Sequence, residues 1–202
     1  MKIAVLNGSP KGQISVTMQY VHFLQQKFPD TEFKIFDIAL KIKKLEKEKK
    51  YFQEIIGEIS AANAVLWAFP LYFLLVCSQY KRFIELIFER NETSAFRGKP
   101  AASLSTSINF FDHAAHNYIN AICDDLEMKY FGPYSAEMSD LHKSRERQRL
   151  KTFGELFIKA IKEGIPSIKN YKALIAQKAV YEPARLMPVE TDGKKVLIAV
   201  DD

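Results

Sequence analysis

Apolar runs of strand length alternate with amphipathic helical segments along residues 1–165 of this chain. One helical segment carries Tyr80, Phe83, Ile84 and Ile87 at the spacing of a single helix face. Strict alternation of this kind is typical of a parallel sheet with helices on both faces and right-handed crossovers. We therefore predict a doubly wound α/β fold with five parallel strands. The strand-like runs span residues 2–6, 32–38, 63–70, 99–107 and 128–138.

Composition agrees with a globular domain, with 48% hydrophobic and 26% charged residues among 202. The longest apolar stretch, residues 64–76, contains Pro70 and is shorter than the ~20 residues that cross a bilayer. We therefore expect no membrane association. Cys77 and Cys123 are the only cysteines, which suits a reducing cytosol and predicts neither a structural metal nor a disulfide framework. The expected location is cytoplasmic.

The net charge of +5 comes largely from two runs, residues 41–50 and 142–151, which both contain glutamates. We interpret them as solvated linker and helix surface with i,i+4 ion pairs. The alternative is a weak attraction for anions such as a nucleotide cofactor. The chain carries no nucleic-acid-binding motif, so we expect no nucleic-acid partner.

The periodic pattern ends near residue 165, and residues 166–202 are expected to form a C-terminal extension. Residues 193–202, "GKKVLIAVDD", resemble a buried strand. Two interpretations remain open for this strand. It is an additional strand at a sheet edge, or it is the first strand of a further domain in a longer protein, which we favour.

The loop after the first strand reads "NGSPKGQISVT" and combines two glycines with three hydroxyl side chains. Where a parallel strand leads into a helix, backbone N–H groups and the helix N-terminus bind phosphate well. Ser9, Ser15 and Thr17 add hydroxyl donors, and Gly8 and Gly12 allow the backbone to approach a ligand. Ser15 alternatively caps the helix. We favour a phosphate site, because capping requires one hydroxyl and not three.

Two classes of phosphate ligand site are disfavoured because their motifs are missing. The sequence has neither the GxxxxGK[ST] motif of P-loop NTPases nor the GxGxxG motif of Rossmann dinucleotide sites. The remaining doubly wound option is the flavodoxin-like sheet with strand order 2-1-3-4-5, which holds FMN at its carboxyl edge. The loop at residues 69–83 is rich in apolar and aromatic side chains, and residues 105–111 add hydroxyls, an amide and two aromatics. Both suit a flat ring system.

Three loops, "GSPKGQISVT", "FPLYFLLVCSQYKRFIE" and "LSTSINFFDH", resemble the flavin loops of NAD(P)H-dependent FMN reductase-like flavoproteins. That family includes quinone reductases, WrbA-type proteins and iron–sulfur flavoproteins, and the resemblance covers about residues 1–135. It implies a phosphate site at Ser9, Lys11, Ser15, Val16 and Thr17. It implies an isoalloxazine site lined by Pro70, Leu71, Tyr72, Phe73 and Leu74, and closed by Ser105, Thr106, Ser107 and Asn109.

The resemblance further implies an enzyme that moves hydride from NAD(P)H through FMN to a quinone, a flavin or another small acceptor. Family members are usually homodimers or tetramers. Since the flavin carries the chemistry, no catalytic side chain and no metal are expected. One alternative is a non-catalytic electron-transfer module of a longer protein, and another is a fold that has lost its flavin. Flavodoxins are typically acidic, so the positive net charge favours the reductase.

Some residues depart from the family pattern. Lys11 stands where arginine is common, and Cys77 stands where a proline often opens the next helix. Residues 108–111 replace the usual Gly-Gly, which suggests a different or narrower acceptor. His113 and His116 are expected at a helix surface or an interface, with a proton donor as the alternative. Cys77 is expected to be a small packed residue rather than a redox thiol.

Overall fold

The computed structural model describes residues 1–108 and 111–171, together with Gly193. Within these residues five strands alternate with helices in one parallel sheet of order β2-β1-β3-β4-β5. This confirms the predicted doubly wound, flavodoxin-like fold. The strands are β1 (Lys2–Asn7), β2 (Glu32–Phe36), β3 (Ala64–Pro70), β4 (Pro100–Ser107) and β5 (Lys129–Glu137). The helices are α1 (Val16–Lys27), α2 (Ile42–Lys47), α3 (Lys49–Ala61), α4 (Ser78–Glu89), α5 (Asp112–Asp125) and α6 (Ser144–Glu163).

The two faces of the sheet carry separate apolar layers because successive strand residues point to opposite sides. In β1, Ile3 and Val5 join the layer under α1 and α6. Ala4 and Leu6 join the layer under α3, α4 and α5. All four side chains are fully buried. The uninterrupted apolar run of β1 is therefore explained by burial on both faces.

Local signals mark two of the helix ends. Ser15 caps α1, and α6 stops at Gly164, whose φ of 62° is the left-handed conformation that favours glycine. The Lys-rich run differs from the expected linker, because it forms the short helix α2 with Ile42 and Leu45 buried. The guanidinium of Arg90, the residue that follows α4, donates to two carbonyl oxygens of α2. A helix of six residues is too short for apolar periodicity to reveal it.

The C-terminal extension is described only as far as Tyr171. The backbone N–H groups of Asn170 and Tyr171 donate to Asp124 Oδ2 on α5, at 2.8 and 2.9 Å. The strand predicted at residues 193–202 lies outside the described residues apart from Gly193. Among the helices of the described chain, none has the length and apolar character needed to cross a membrane.

The close crossing of α1 and α6 yields a stability prediction. A Cβ added at Gly154 would lie 2.4 Å from Phe28 Cε2 and 2.9 Å from Leu24 Cδ2. We expect Gly154→Ala to destabilise the fold by about 1–3 kcal/mol through overpacking. Gly57→Ala, in α3, meets no atom within 4 Å and should stabilise it by about 0.5–1 kcal/mol. Urea denaturation measures both, and changes of the same sign would contradict this packing.

Candidate functional site

A cavity of about 440 Å³ lies at the carboxyl ends of β1, β3 and β4. The structure brings twelve of the predicted site residues into its wall: Ser9, Lys11, Ser15, Val16, Thr17, Pro70, Leu71, Tyr72, Phe73, Leu74, Thr106 and Ser107. Ser105 does not line it, because its hydroxyl points to the α5 side of β4. Asn109 lies outside the described residues. Ile108 and Met138 complete the wall and were not among the predicted residues.

A buried asparagine holds the first loop in shape. Asn7 Nδ2 donates to Asp37 Oδ1 at 2.8 Å, and Asn7 Oδ1 accepts from the Ser9 N–H at 3.0 Å. Ser9 Oγ in turn accepts from the Lys11 N–H at 3.3 Å. Asn7 is fully buried, so these bonds replace its lost hydration. Sequence reasoning missed this residue, although an asparagine at the end of a buried strand is a visible signal.

The polar end of the cavity is the N-terminus of α1. Ser15 Oγ accepts from the Met18 N–H at 3.3 Å, so Ser15 caps the helix and also lines the cavity. The N–H groups of Val16 and Thr17 are the first of α1 and have no acceptor within the helix. Lys11 lines the same cavity. Together they form a positively polarised end that suits an anion.

The fold itself favours glycine at both positions of this loop. A Cβ at Gly8 would lie 2.9 Å from Phe69 Cβ and 3.0 Å from the Tyr80 ring. Gly12 adopts a φ of 60°, in the left-handed region. The structure therefore gives a packing reason for Gly8 and a conformational reason for Gly12, and the expectation that both let the backbone approach a ligand stays a prediction.

The opposite end of the cavity is a tight turn of unusual composition. Tyr72 and Leu75 exchange two backbone hydrogen bonds, of 2.7 and 3.1 Å. The central residues Phe73 and Leu74 have φ values of 41° and 72°, positive at both positions as in type I′ turns. Such turns favour Asn-Gly, and left-handed backbone costs other residues about 1–2 kcal/mol each. The turn therefore stores strain where the sequence predicted the isoalloxazine site.

Apolar side chains around the cavity mouth are exposed to solvent. Tyr72, Phe73, Ile108 and Met138, which we call the apolar rim, are 43%, 102%, 79% and 60% exposed. Exposed apolar groups clustered at a concave site are typical of a surface that a ligand or partner covers. The rim and the polar end therefore give the cavity the two chemically distinct halves expected for FMN.

A buried polar network lies beneath this cavity, between β4 and α5. Ser107 Oγ and Ser105 Oγ donate to the two carboxylate oxygens of Asp112, at 2.6 and 3.1 Å. His116 lies between Ser105, 3.0 Å from Nε2, and Ser103, 2.6 Å from Nδ1. His116 is only 4% exposed. The expected surface or interface position is therefore wrong for His116, because α5 turns this residue toward the sheet.

His113 and Cys77 lie in the environments that we expected for them. His113 is exposed on α5. Cys77 is buried, and its Sγ donates to the Gly8 carbonyl oxygen at 3.3 Å. Burial raises the pKa of the Cys77 thiol, so it is a packed residue rather than a reactive thiolate. In the described part of the chain, no three His, Cys, Asp or Glu side chains group as metal ligands would.

The buried imidazole predicts a pH dependence of stability. Burial lowers the pKa of His116 to about 4, although the nearby Asp112 carboxylate opposes the shift. An unfolded histidine binds its proton near pH ~6.5, so between about pH 6.5 and 4 the unfolded chain binds more protons. Stability should therefore fall by about 3 kcal/mol over this window as the pH drops. Urea unfolding of wild type and His116→Gln measures this, and equal pH slopes would contradict it.

Comparison with known proteins identifies the family. Residues 1–143 match the family of NADPH-dependent FMN reductases. No curated protein sequence gives a significant match. Among solved structures, the flavoenzyme NAD(P)H:acceptor oxidoreductase FerB from Paracoccus denitrificans is similar, with a TM-score of 0.66, 18% identity and coverage of 81% of this chain and 98% of that one.

Two further solved structures share the fold. An FMN-dependent NADH-azoreductase from Bacillus anthracis, solved with FMN, has a TM-score of 0.54 and 14% identity over 80% of this chain and 98% of its own. A WrbA-like flavodoxin from Agrobacterium tumefaciens has a TM-score of 0.59 and 10% identity over 81% and 98%. At these identities the likeness shows the fold alone. The family match is what identifies the chain as a member of the NADPH-dependent FMN reductases, a flavin oxidoreductase with FMN as its cofactor and NAD(P)H as its electron donor.

Proposed function

We propose that FMN binds in the cavity at the carboxyl ends of β1, β3 and β4. One observation carries this proposal: a single cavity joins a helix N-terminus with hydroxyl donors to a strained apolar turn. The first half matches a phosphate group, and the second matches an apolar ring. A volume of about 440 Å³ also lies within the range of cofactor sites. The residues present therefore fit the cofactor of the family.

In this proposal the phosphate accepts hydrogen bonds from the N–H groups of Val16 and Thr17, from the Ser15 hydroxyl and from the Lys11 ammonium group. Ser15 Oγ accepts from Met18, so its own proton remains to be donated to a ligand. Thr17 Oγ1 shares a 2.6 Å hydrogen bond with Thr106 Oγ1, in which either hydroxyl is the donor. Thr17 therefore donates to the phosphate when Thr106 supplies the proton between them.

The ring half is formed by residues 70–74 on one side and by Thr106 and Ser107 on the other, with Asn109 remaining a prediction. FMN, when bound, supplies a reversible acceptor for the two electrons of a hydride. The apolar rim excludes water from the reacting groups and gives a flat apolar acceptor a surface to stack on. These features support a quinone, a flavin or another small acceptor as the substrate.

We also propose a homodimer or tetramer in which a second copy covers part of the apolar rim. The exposure of Phe73 and Ile108 supports this, because exposed apolar groups of this size favour burial in an interface. A cytoplasmic location stays part of the proposal, supported by NAD(P)H as donor and by two free cysteines.

The visible spectrum of the purified protein tests this function. Heat-released cofactor should be FMN, and anaerobic NADH or NADPH should bleach the bound flavin, with a quinone restoring its colour. If dithionite bleaches the flavin but neither nicotinamide does, the chain is an electron-transfer module instead. Release of FAD, or failure to bind flavin after reconstitution, would overturn the cofactor assignment.

The phosphate loop gives a prediction with an internal control. Ser15→Ala combined with Thr17→Val removes two hydroxyl donors to a charged group, each worth about 1.5–3 kcal/mol. FMN affinity should therefore fall by roughly two to four orders of magnitude. Riboflavin lacks the phosphate and should bind wild type and variant equally weakly.

Fluorescence titration with both flavins measures these affinities, and melting of the apo-protein measures the fold. The loss of the helix cap and of the Thr17–Thr106 hydrogen bond should cost about 1–2 kcal/mol of stability. If riboflavin affinity falls as far as FMN affinity, the two hydroxyls support the fold and do not bind the phosphate.

A further inference from the structure

A continuous path of hydrogen-bonded side chains connects the flavin cavity with a second cavity beside the amino-terminal ends of β4 and β5. Ser107 lines the first cavity, and Tyr130 lines the second, which has a volume of about 540 Å³. We call this set the polar path. In order, its members are Ser107, Asp112, Ser105, His116, Ser103 and Tyr130, and the polar atoms of neighbours lie 2.5–3.1 Å apart.

Counting protons fixes the direction of every hydrogen bond in the path. The Ser105 hydroxyl donates to Asp112, so its oxygen accepts from an Nε2–H of His116. A neutral imidazole carries one proton, so Nδ1 is an acceptor and takes the proton of Ser103. The Ser103 oxygen then accepts from the Tyr130 hydroxyl. From Tyr130 to Ser105 each donor therefore points toward the Asp112 carboxylate, and Ser107 donates to the same carboxylate from the other end of the path.

The surroundings keep this direction fixed. Ser103 and Ser105 are fully buried, and the Phe69 ring lies 5.6 Å from the imidazole. Among the described residues, the Asp112 carboxylate on the same helix is the charged group that acts on His116, and the Tyr130 hydroxyl on β5 reaches the imidazole through Ser103. Ser135 Oγ lies 3.0 Å from His116 Nε2, so Ser135 and Ser105 both accept from the Nε2–H group. A polar network this deeply buried is stable only when each member is paired.

We propose that the polar path conducts a proton from the second cavity to the flavin cavity, for use in the reaction proposed above, on which this inference rests. Reduction of a quinone by NAD(P)H consumes a hydride and one further proton. The hydride brings two electrons and one proton, and the quinone becomes a hydroquinone by taking up the second proton. The path supplies that second proton, while the donor leaves as NAD(P)⁺.

Each member gives one proton and receives one. Tyr130 takes a proton from water and passes its own to Ser103, which passes its own to His116 Nδ1. His116 releases the Nε2 proton to Ser105, whose proton moves to Asp112. The Asp112 carboxyl group then reprotonates Ser107 after the Ser107 hydroxyl has turned and donated into the cavity. One proton has crossed, and a charged imidazolium is avoided because His116 gains and loses its protons together.

The far end of the path can be broken without touching the flavin cavity. Tyr130→Phe removes the hydroxyl that receives the proton and keeps the ring. Tyr134→Phe is the matched control, because Tyr134 lies on the same strand and its hydroxyl donates to the Glu146 carbonyl oxygen, away from the path. Ser107 alone touches the cavity, and the other members act through it.

The experiment follows the re-oxidation of dithionite-reduced holoenzyme by two acceptors in stopped flow. Tyr130→Phe should slow re-oxidation by a quinone by roughly tenfold or more, since the quinone needs a proton. Re-oxidation by ferricyanide, which takes electrons only, should stay at the wild-type rate, as should FMN affinity. Equal slowing with both acceptors, or an unchanged quinone rate, would overturn the proposal. Tyr134→Phe should match wild type throughout.

A second measurement needs no turnover. Nitrogen-15 NMR of the FMN-loaded protein at neutral pH should show His116 as the Nε2–H tautomer, and Tyr130→Phe should shift the Nδ1 resonance alone among the histidines. An Nδ1–H tautomer would reverse the donor direction and overturn the path. Dithionite supplies the electrons, so these results stand even if NAD(P)H fails to reduce the flavin. If NAD(P)H does not reduce the flavin, the proposed function is overturned. The stopped-flow and NMR results still support or refute the polar path independently.

Discussion

The cavity depends on the contact between the first loop and the end of β3, where Gly8 packs against Phe69 and Tyr80. The Gly8 N–H donates to the Ala68 carbonyl oxygen at 2.7 Å, and its own carbonyl accepts from Cys77 Sγ. These bonds fix the first loop to the strand that leads into the Phe73–Leu74 turn. The two halves of the cavity therefore keep a set spacing, which a ligand with a phosphate and a ring requires.

The strained turn at Phe73 and Leu74 persists only because the chain on both sides of it is held in place. Two bulky residues in left-handed conformation would relax in a loop that was free to move. Here β3 before the turn and α4 after it are both anchored in the core, so the turn cannot relax without disrupting them. The strain presents an apolar surface at the mouth of the cavity, which a relaxed Asn-Gly turn would not provide.

The fold could be predicted from strong local patterns, and most of the cavity wall from the resemblance of three loops to those of FMN reductase-like flavoproteins. Long apolar periods define the strands, and their parallel order brings three loops to one edge. The short helix α2 has too few residues to show a period. Met138 follows β5 in the chain, and it lines the cavity only because the twist of the sheet brings the end of β5 toward it. No local pattern marks such a residue.

The misjudged position of His116 has a different cause, since its signal is present in the sequence. Asp112 and His116 are four residues apart, so they share a helix face. Ser103, Ser105 and Ser107 are two apart, so they share a strand face. Read together, these two spacings predict that one polar strand face meets one polar helix face. Each pattern alone suits a solvated surface, which is why the histidine was expected there.

The same alternation explains why β4 tolerates so many hydroxyls in the interior of a sheet. Its serines at 103, 105 and 107 pair with α5, while Thr106 on the other face pairs with Thr17 of α1. An apolar strand would avoid the cost of burying these groups, so the fold does not need them. Buried polar residues that depart from the apolar pattern of the core tend to mark functional positions. The proposed proton path gives the buried hydroxyls of β4 a functional reason that the stability of the sheet does not supply.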